Sequence, residues 1–268
     1  MNDELALQAP ATTAQPLHPP ADQTDRAWRE LHRAACTPYR RAGRFAWHFA
    51  RGKLGRDPAF RFLIERGELR CGARVVDIGC GQGLLASLLR AADRMEATGR
   101  WPAAWPAAPS AASYTGLELM PRDVARAEAA WCADTTPSRT TARFVCADMC
   151  AAALPACDTV VILDVLHYVD HAAQQRVLLQ VRDALAPGGK LLLRIGDAAQ
   201  ARRFAVTRWV DRLVTRVRGH QAPPVWCRTR AEWVALVEGL GFSVQSLPMS
   251  RGTPFANVLL IAQKGVAA

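Results

Sequence analysis

One glycine-rich segment, residues 74–85, limits what this chain can fold into more than any other feature of its sequence. It reads RVVDIGCGQGLL, a β-branched apolar run followed by three glycines at alternate positions. Leu84, Leu85, Leu88 and Leu89 then recur with helical spacing. The pattern predicts a strand, a tight turn and a helix. Because glycine has no Cβ, a ligand can lie against bare backbone where the strand ends.

The glycine spacing and the acid ahead of it restrict the kind of ligand. The nicotinamide fingerprint Gly-x-Gly-x-x-Gly/Ala would need a small residue where Leu84 stands. Here the glycines are Gly79, Gly81 and Gly83, and Asp77 precedes the first by two residues. A carboxylate there repels a pyrophosphate and attracts a cation. The segment therefore favours a cationic ligand over a dinucleotide, with a purely structural strand-to-helix turn as the alternative.

This Asp-x-Gly-x-Gly-x-Gly pattern resembles motif I of the class I S-adenosylmethionine-dependent methyltransferases. The resemblance implies a Rossmann-like α/β fold with a mostly parallel seven-stranded sheet, an antiparallel last strand and helices on both faces. It also implies S-adenosyl-L-methionine as the cofactor, held in part by Asp77, Gly79, Cys80, Gly81 and Gly83. Motifs in the matching order cover roughly residues 70–264.

Two further predicted strands end in acids. Glu118 ends the strand 113–118, and its two carboxylate oxygens can accept bonds from neighbouring ribose hydroxyls. Leu119 and Met120 follow it, next to the expected adenosine. The resemblance assigns Asp148, near the end of the predicted strand 143–149, to the exocyclic adenine amine, with Met149 as its apolar neighbour. For each acid alone, a solvated strand end is the competing interpretation.

The fourth predicted strand, 158–164, is a continuous apolar run that includes Leu163, as expected in the middle of a parallel sheet. The residues after it resemble motif IV of small-molecule methyltransferases and differ from the Asn/Asp-Pro-Pro-Tyr of enzymes that methylate base amines. His167 is the candidate general base because its ordinary pKa lies near working pH. Asp164 is a candidate substrate contact, or its backbone could hold the methionine part of the cofactor, and Tyr168 is a candidate to line the pocket. A packing role for His167 stays open, as do His48 and Tyr39 as alternative bases.

The chain divides into three predicted parts. Residues 1–23 lack periodicity and predict a disordered tail. Residues 24–70 interleave aromatic side chains with arginines and predict a helical cap or substrate lid. Residues 71–268 form the predicted cofactor-binding domain, with insertions at about 97–113 and 198–230. The first insertion is rich in Trp and Pro, and its tryptophans could dock a partner or fold back on the domain.

The net charge of +10 calls for a partner hypothesis. Twelve Lys and Arg side chains lie in residues 26–70 and eight in residues 200–230. These segments suggest an anionic partner such as an acidic acyl carrier protein, or RNA, although an arginine-rich solvated surface explains them equally well. An RNA or ribosomal methyltransferase is thus one alternative function, and a catalytically silent cofactor-binding scaffold is another.

Cysteine usage and hydropathy indicate the compartment. The eight cysteines form no Cys-x-x-Cys pair, which favours reduced, buried thiols over a metal site. No apolar run approaches a membrane span and the first residues are acidic, so a cytoplasmic protein is expected. The 252–260 segment and the cap resemble methyltransferases of bacterial aryl-polyene pigment synthesis. The expected activity is methyl transfer to a small organic acceptor, aromatic or carrier-bound, in a biosynthetic pathway.

Overall fold

The computed structural model describes residues 21–199, 225–250, 252 and 256–266. The helices in this part of the chain are α1 (Ala21–Cys36), α2 (Arg44–Arg56), α3 (Pro58–Glu65), α4 (Leu84–Ala97), α5 (Pro121–Ala133), α6 (His171–Ala184) and α7 (Arg230–Gly239). The strands are β1 (Ala73–Ile78), β2 (Ala111–Glu118), β3 (Ala142–Cys146), β4 (Cys157–Leu163), β5 (Leu185–Gly196), β6 (Phe242–Pro248) and β7 (Asn257–Lys264). Single 3-10 turns lie at Thr37–Arg40 and Leu166–Tyr168.

The strands form one seven-stranded sheet in the order β3-β2-β1-β4-β5-β7-β6. Strands β1 to β5 pair in parallel, whereas β7 runs antiparallel to both β5 and β6. The predicted Rossmann-like α/β fold is confirmed, including the antiparallel last strand. Because the chain returns from β3 to β4 across β1, the strand order reverses between β1 and β4. A ligand crevice is expected at the carboxyl ends of those two strands.

Alternate residues of the central strands face two separate cores. Val75, Val161 and Leu192 pack on the side that carries α1 to α4. Their chain neighbours Val76 and Ile162 pack on the side that carries α6 and α7. Both faces of the parallel sheet are therefore covered, which explains why these strands are continuous apolar runs.

The N-terminal helices, meaning α1 to α3 and the 3-10 turn between α1 and α2, pack on the α4 side of the sheet. Leu31 and Tyr39 have no exposed surface. Helix α3 begins at Pro58, with the Asp57 side chain accepting from Ala59 N at 3.0 Å. Helix α1 begins at Ala21, three residues before the predicted boundary, and residues 1–20 of the predicted disordered tail lie outside the described residues.

The Trp/Pro insertion folds back onto the domain. Trp105 is buried and meets Trp101 edge to face, with ring centroids 5.1 Å apart. The Trp101 indole N–H is satisfied by Pro106 O at 2.9 Å. Of the two predicted alternatives for this segment, the docking surface is therefore wrong for Trp105, because its apolar area is already covered.

The prediction of free thiols is confirmed, whereas the prediction that they are buried holds only in part. All eight cysteines are free, but Cys71, Cys132 and Cys146 are exposed. Cys146 is exposed because it ends β3, the edge strand of the sheet. Most of the second basic segment, residues 200–224, lies outside the described residues. Among the described helices, none has the length and apolar character that crossing a bilayer requires.

Candidate active site

The glycine turn lies at the carboxyl end of β1, at the point where the strand order reverses. The N–H groups of Gly79 and Cys80 both donate to Leu117 O of the neighbouring strand, at 2.8 and 3.0 Å. Gly83 N then donates to Cys80 O at 3.0 Å, and Gly83 is the residue that precedes α4. These bonds make the chain reverse tightly while it stays attached to β2.

Gly79 and Gly81 have left-handed backbone conformations for different spatial reasons. At Gly79, with φ of +74°, an added Cβ would lie 2.4 Å from a methyl group of Val165. The turn after β1 therefore touches the segment after β4. At Gly81, with φ of +55°, an added Cβ would meet no atom within 4 Å. The space beside Gly81 is open, so a ligand can approach its backbone directly.

Glu118 connects the end of β2 to this turn. Its Oε2 accepts from Gly81 N at 3.0 Å and its Oε1 accepts from Met120 N at 2.9 Å. The carboxylate is half-buried, and a carboxylate has further acceptor capacity beyond these two bonds. Leu119 is 62% exposed beside it. An acid and a bare glycine backbone thus adjoin one open space, which fits a ligand that carries vicinal hydroxyls.

Asp77 is buried beneath the glycine turn and does not line its open side. It is 5% exposed, and its Oδ2 accepts from the hydroxyl of Tyr114 on β2. Burial raises the pKa of Asp77 to about 7, the Tyr114 bond opposes that rise, and the charge of Glu118 adds to it. The charged neighbour that shifts the pKa of Asp77 is the acid Glu118 and not a cation, so a cation placed near the turn would meet negative charge without a competing partner. This charge pattern fits a cationic ligand.

The remaining strand-end residues are more exposed. Asp148 is exposed, follows β3 by two residues and accepts from Cys150 N at 2.9 Å. Met120 and Met149 are half-buried, and Cys80 is buried with its thiol directed at Gly81 O, 3.7 Å away. The register pairs Glu118 with Cys146, so the β2 and β3 ends lie side by side.

A buried ion cluster, here called the Arg194 cluster, lies at the carboxyl end of β4 next to the turn. Its members are Arg194, Asp57, Asp164 and Lys53. The Arg194 side chain is 1% exposed and donates to both Asp57 and Asp164, including Nε to Asp164 Oδ1 at 2.8 Å. Lys53 Nζ lies 2.9 Å from Asp57 and 3.4 Å from Asp164. The cluster therefore joins the N-terminal helices to β4 and β5.

The charges of the Arg194 cluster hold both carboxylates ionised. Burial alone would raise the pKa of Asp57 and of Asp164, but Arg194 and Lys53 outweigh it and lower both pKa values. Burial alone would lower the pKa of Arg194, whereas the two carboxylates raise it. Asp164 also has a φ of +62°. This conformation is uncommon outside glycine and marks the point where the chain turns out of β4.

His167 and Tyr168 lie in the 3-10 turn that follows Asp164. Their rings are 4.2 Å apart, both residues are half-buried, and His167 Nε2 is inaccessible to solvent. Burial lowers the pKa of His167, with the charge of Asp164 opposing the shift. The imidazole is thus neutral at physiological pH, the form a general base requires. Leu163, the last residue of β4, pairs with Arg194.

The two alternative bases are in unsuitable places. Tyr39 has no exposed surface, and its hydroxyl donates to Gln82 O at 2.7 Å and lies 3.1 Å from Ser87 Oγ. Burial raises the pKa of Tyr39 well above its ordinary value. His48 is exposed with its ring against Trp47. The Tyr39 alternative is wrong because this hydroxyl already fixes the glycine turn to the N-terminal helices.

Sequence reasoning missed Arg194, Asp57 and Lys53 as members of the site. The available signal was an arginine within the apolar strand Leu191-Leu192-Leu193-Arg194-Ile195, because a buried charge needs partners. Within the described residues, no group of three His, Cys, Asp or Glu side chains could hold a metal ion.

Comparisons with known proteins agree with this geometry. A family model described as "Methyltransferase domain" matches residues 46–247. None of the curated proteins matches the sequence. Similar solved structures include the magnesium protoporphyrin IX methyltransferase of Synechocystis with bound S-adenosylhomocysteine, at TM-score 0.56 and 17% identity, covering 85% of this chain and 93% of that one.

Two further solved structures share the fold. An O-methyltransferase family protein of Burkholderia thailandensis is 18% identical at TM-score 0.55, covering 92% of this chain and 71% of that one. Human N-acetylserotonin methyltransferase in complex with S-adenosylmethionine is 17% identical at TM-score 0.52, covering 91% of this chain and 66% of that one.

Proposed function

Because this chain belongs to the class I S-adenosylmethionine-dependent methyltransferases, we propose that it methylates a small organic acceptor held between the N-terminal helices and the carboxyl edge of the sheet. The observation that carries the proposal is the Arg194 cluster, which ties those helices to β4 directly beside His167. Asp57 and Lys53 of the N-terminal helices reach the end of β4 through this cluster, which favours a small acceptor over a polymer at that point. The N-terminal helices thus serve as the substrate cap.

On the cofactor side, Gly81 and Glu118 are the proposed centre of binding. The Glu118 carboxylate accepts bonds from the ribose hydroxyls while its bond to Gly81 N keeps the turn in place. Asp77 acts through its charge from beneath the turn, and Gly79, Cys80 and Gly83 shape the backbone. Beyond this turn, Leu119, Met120 and Leu163 supply apolar contacts, and Asp148 with Met149 flanks the adenine.

S-adenosylmethionine, when bound, supplies a methyl group activated by a sulfonium. The protein's task is to align the acceptor with that methyl and to exclude water. His167 is the proposed base for a hydroxyl acceptor. Asp164 holds the segment that carries His167 through its bonds to Arg194, and Tyr168 lines the acceptor pocket beside the imidazole.

The test is transfer of a labelled methyl group from S-adenosylmethionine to a panel of phenols, enols and amines, with a structured RNA as a separate arm. We expect label in a small hydroxyl acceptor. His167→Ala should lower kcat by about 10²–10⁴-fold with KM little changed, as expected when a general base is lost. His48→Ala, which alters an exposed histidine of the N-terminal helices, is the matched control and should be neutral.

The pH profile separates a base from a packing histidine. With His167 as the base, activity should fall on the acid side with a midpoint below 6.5, the ordinary value, because burial lowers the pKa of His167. A profile that His167→Ala leaves unchanged removes the proton-transfer role. If the label appears only in RNA, and RNA binding weakens steeply as the salt concentration rises, the acceptor is RNA and not a small molecule.

The biological setting is a separate part of the proposal. The +10 charge and the arginines of the N-terminal helices support an acceptor presented by an acidic carrier protein, in a biosynthetic pathway such as aryl-polyene synthesis. Comparing turnover of a free acceptor with the same acceptor attached to a carrier tests this. A carrier-bound acceptor used no better than the free one would exclude the carrier from the proposal.

A further inference from the structure

A second concave site is lined by residues other than those of the glycine turn. It is a cleft of about 640 Å³ between the end of α1 with the following 3-10 turn and the C-terminal ends of α4 and α5. Helices α4 and α5 run back from the carboxyl edge of the sheet, so their C-terminal ends lie toward the opposite edge. None of the residues that line the cleft belongs to the glycine turn, the strand ends or the Arg194 cluster. We call it the basic cleft.

Five arginines and two acids line the basic cleft: Arg33, Arg40, Arg41, Arg94, Arg100, Glu30 and Asp134. The two acids are already engaged, because Arg100 pairs with Glu30 and Arg94 lies 3.6 Å from Asp134. Arg33, Arg40 and Arg41 form no ion pair with any acid in the part of the chain that the structure describes. Arg40 is held over the Trp47 ring at 5.3 Å.

These charges specify the ligand's chemistry. The lining has three positive charges that its own carboxylates do not balance, which matches the charge of a diphosphate near neutral pH. Guanidinium groups bind phosphate oxygens through paired N–H donors, and here they come from α1, the 3-10 turn, α4 and the segment after α4. These arginines belong to several elements that border one cleft, whereas isolated surface arginines have charges that solvent and salt screen.

The rest of the lining restricts the organic part of the ligand. Ala34, Pro38, Met95 and Ala133 are apolar, and no aromatic ring is among the residues that line the cleft. Its volume lies within the usual range for small-ligand pockets, about 300–1,000 Å³. We propose that the basic cleft binds a small organic diphosphate, recognised by its two phosphates and not by base stacking.

Calorimetric titration of the full chain with inorganic pyrophosphate, inorganic phosphate and ADP tests this. We expect one pyrophosphate per chain, bound at least about tenfold tighter than phosphate because two phosphates engage more arginines. ADP should bind within about threefold of pyrophosphate, since no ring stacks on the adenine. A much tighter ADP complex would overturn recognition by phosphate alone.

The variants separate a site from general surface charge. Arg33→Gln/Arg40→Gln/Arg41→Gln should weaken pyrophosphate binding by at least about tenfold. The matched control is Arg26→Gln/Arg29→Gln/Arg66→Gln, which removes the same charge from exposed positions outside the cleft. Equal loss in both variants overturns the proposal, and so does competition between pyrophosphate and S-adenosylhomocysteine, which would place the anion at the cofactor turn.

The residues that line the basic cleft are not those proposed to hold the cofactor, so pyrophosphate binding and S-adenosylhomocysteine binding are measured as separate outcomes. Both triple variants should bind S-adenosylhomocysteine as the wild type does, which also shows that they are folded. A diphosphate site would be refuted if pyrophosphate failed to bind the wild type while an RNA oligonucleotide did bind it. In that case the Arg33→Gln/Arg40→Gln/Arg41→Gln variant would lose the RNA binding.

Discussion

Replacing Arg194 with methionine should loosen the attachment of the N-terminal helices to the sheet. Methionine retains much of the apolar length of the arginine side chain and removes the guanidinium. The Asp57 and Asp164 carboxylates then remain, with side chains 8% and 30% exposed, and only Lys53 is left to balance them. Removing one partner of a buried ion pair lowers the free energy of unfolding by about 3–5 kcal/mol.

The expected cost lies at the lower end of that range. Lys53 remains 2.9 Å from Asp57 and continues to pair with it, and the partly exposed Asp164 can regain water. We therefore expect the free energy of unfolding to fall by about 3 kcal/mol near pH 7. Lys53→Met is the control, because Lys53 is partly exposed and should cost about 1 kcal/mol or less.

The stability difference between the wild type and Arg194→Met should depend on pH in a definite direction. Asp57 and Asp164 have lowered pKa values in the folded wild type, so their contribution is present above about pH 3.9, the ordinary carboxyl value, and is lost as pH falls through the lowered values. Without Arg194 the buried carboxylates take up protons more readily. The stability difference between wild type and variant should therefore shrink as the pH falls below about 3.9.

Urea unfolding at several pH values, read by circular dichroism with the m-value compared between proteins, is the assay. A double variant with Asp57→Asn should lose less than the sum of the two single losses, because both changes remove the same interaction. An Arg194→Met protein within about 0.5 kcal/mol of wild type at pH 7, at an equal m-value, would refute the argument that this cluster is buried and holds the helices in place.

Three further predictions concern the cofactor turn. Gly81→Ala should cost about 1–2 kcal/mol of stability from left-handed strain and weaken S-adenosylmethionine binding by at least about tenfold. Gly79→Ala should mainly destabilise the fold, because its Cβ would lie 2.4 Å from a packed methyl group. Unfolding and cofactor titration of both variants distinguish the two effects. Tyr39→Phe should lower stability by about 1 kcal/mol and weaken cofactor binding, because the hydrogen bond to Gln82 O is lost. A variant with the cofactor affinity of the wild type would show that the glycine turn needs no support from Tyr39. Binding of S-adenosylmethionine at pH 7 should release protons, because a cation lowers the pKa of Asp77 from about 7; calorimetry in buffers of different ionisation enthalpy measures the number released. S-adenosylhomocysteine, which lacks the sulfonium charge, should release fewer protons. Equal release by the two ligands would show that the cation lies away from Asp77.

Local patterns predicted the parts of the fold that local interactions decide. The strand, turn and helix around Gly79 could be predicted because β-branched residues, glycines and spaced leucines each restrict the backbone within a few residues. The acid at the end of β2 could be predicted because its position follows from the strand boundary. The mostly parallel seven-stranded sheet with an antiparallel last strand followed from the family resemblance, and the pairings confirm it.

Features that depend on distant contacts could not be predicted from the sequence. Arg194 and Asp57 are 137 residues apart, so no spacing rule links them. Trp105 has the composition of a surface loop around it, and its burial depends on where the insertion folds back. Cys146 has apolar neighbours in sequence, yet its exposure depends on β3 being the edge strand.

Calorimetric titration with S-adenosylmethionine, S-adenosylhomocysteine and NADH tests the central claim, that Glu118 and the glycine turn form one cofactor site. We predict micromolar-class binding of the two sulfur ligands, no NADH binding, and a loss of about 1–3 kcal/mol in Glu118→Ala from unpaired ribose hydroxyls. Glu128→Ala, an exposed acid on α5, should bind as the wild type does. Tight NADH binding, or a Glu118→Ala protein with wild-type affinity, would contradict the account.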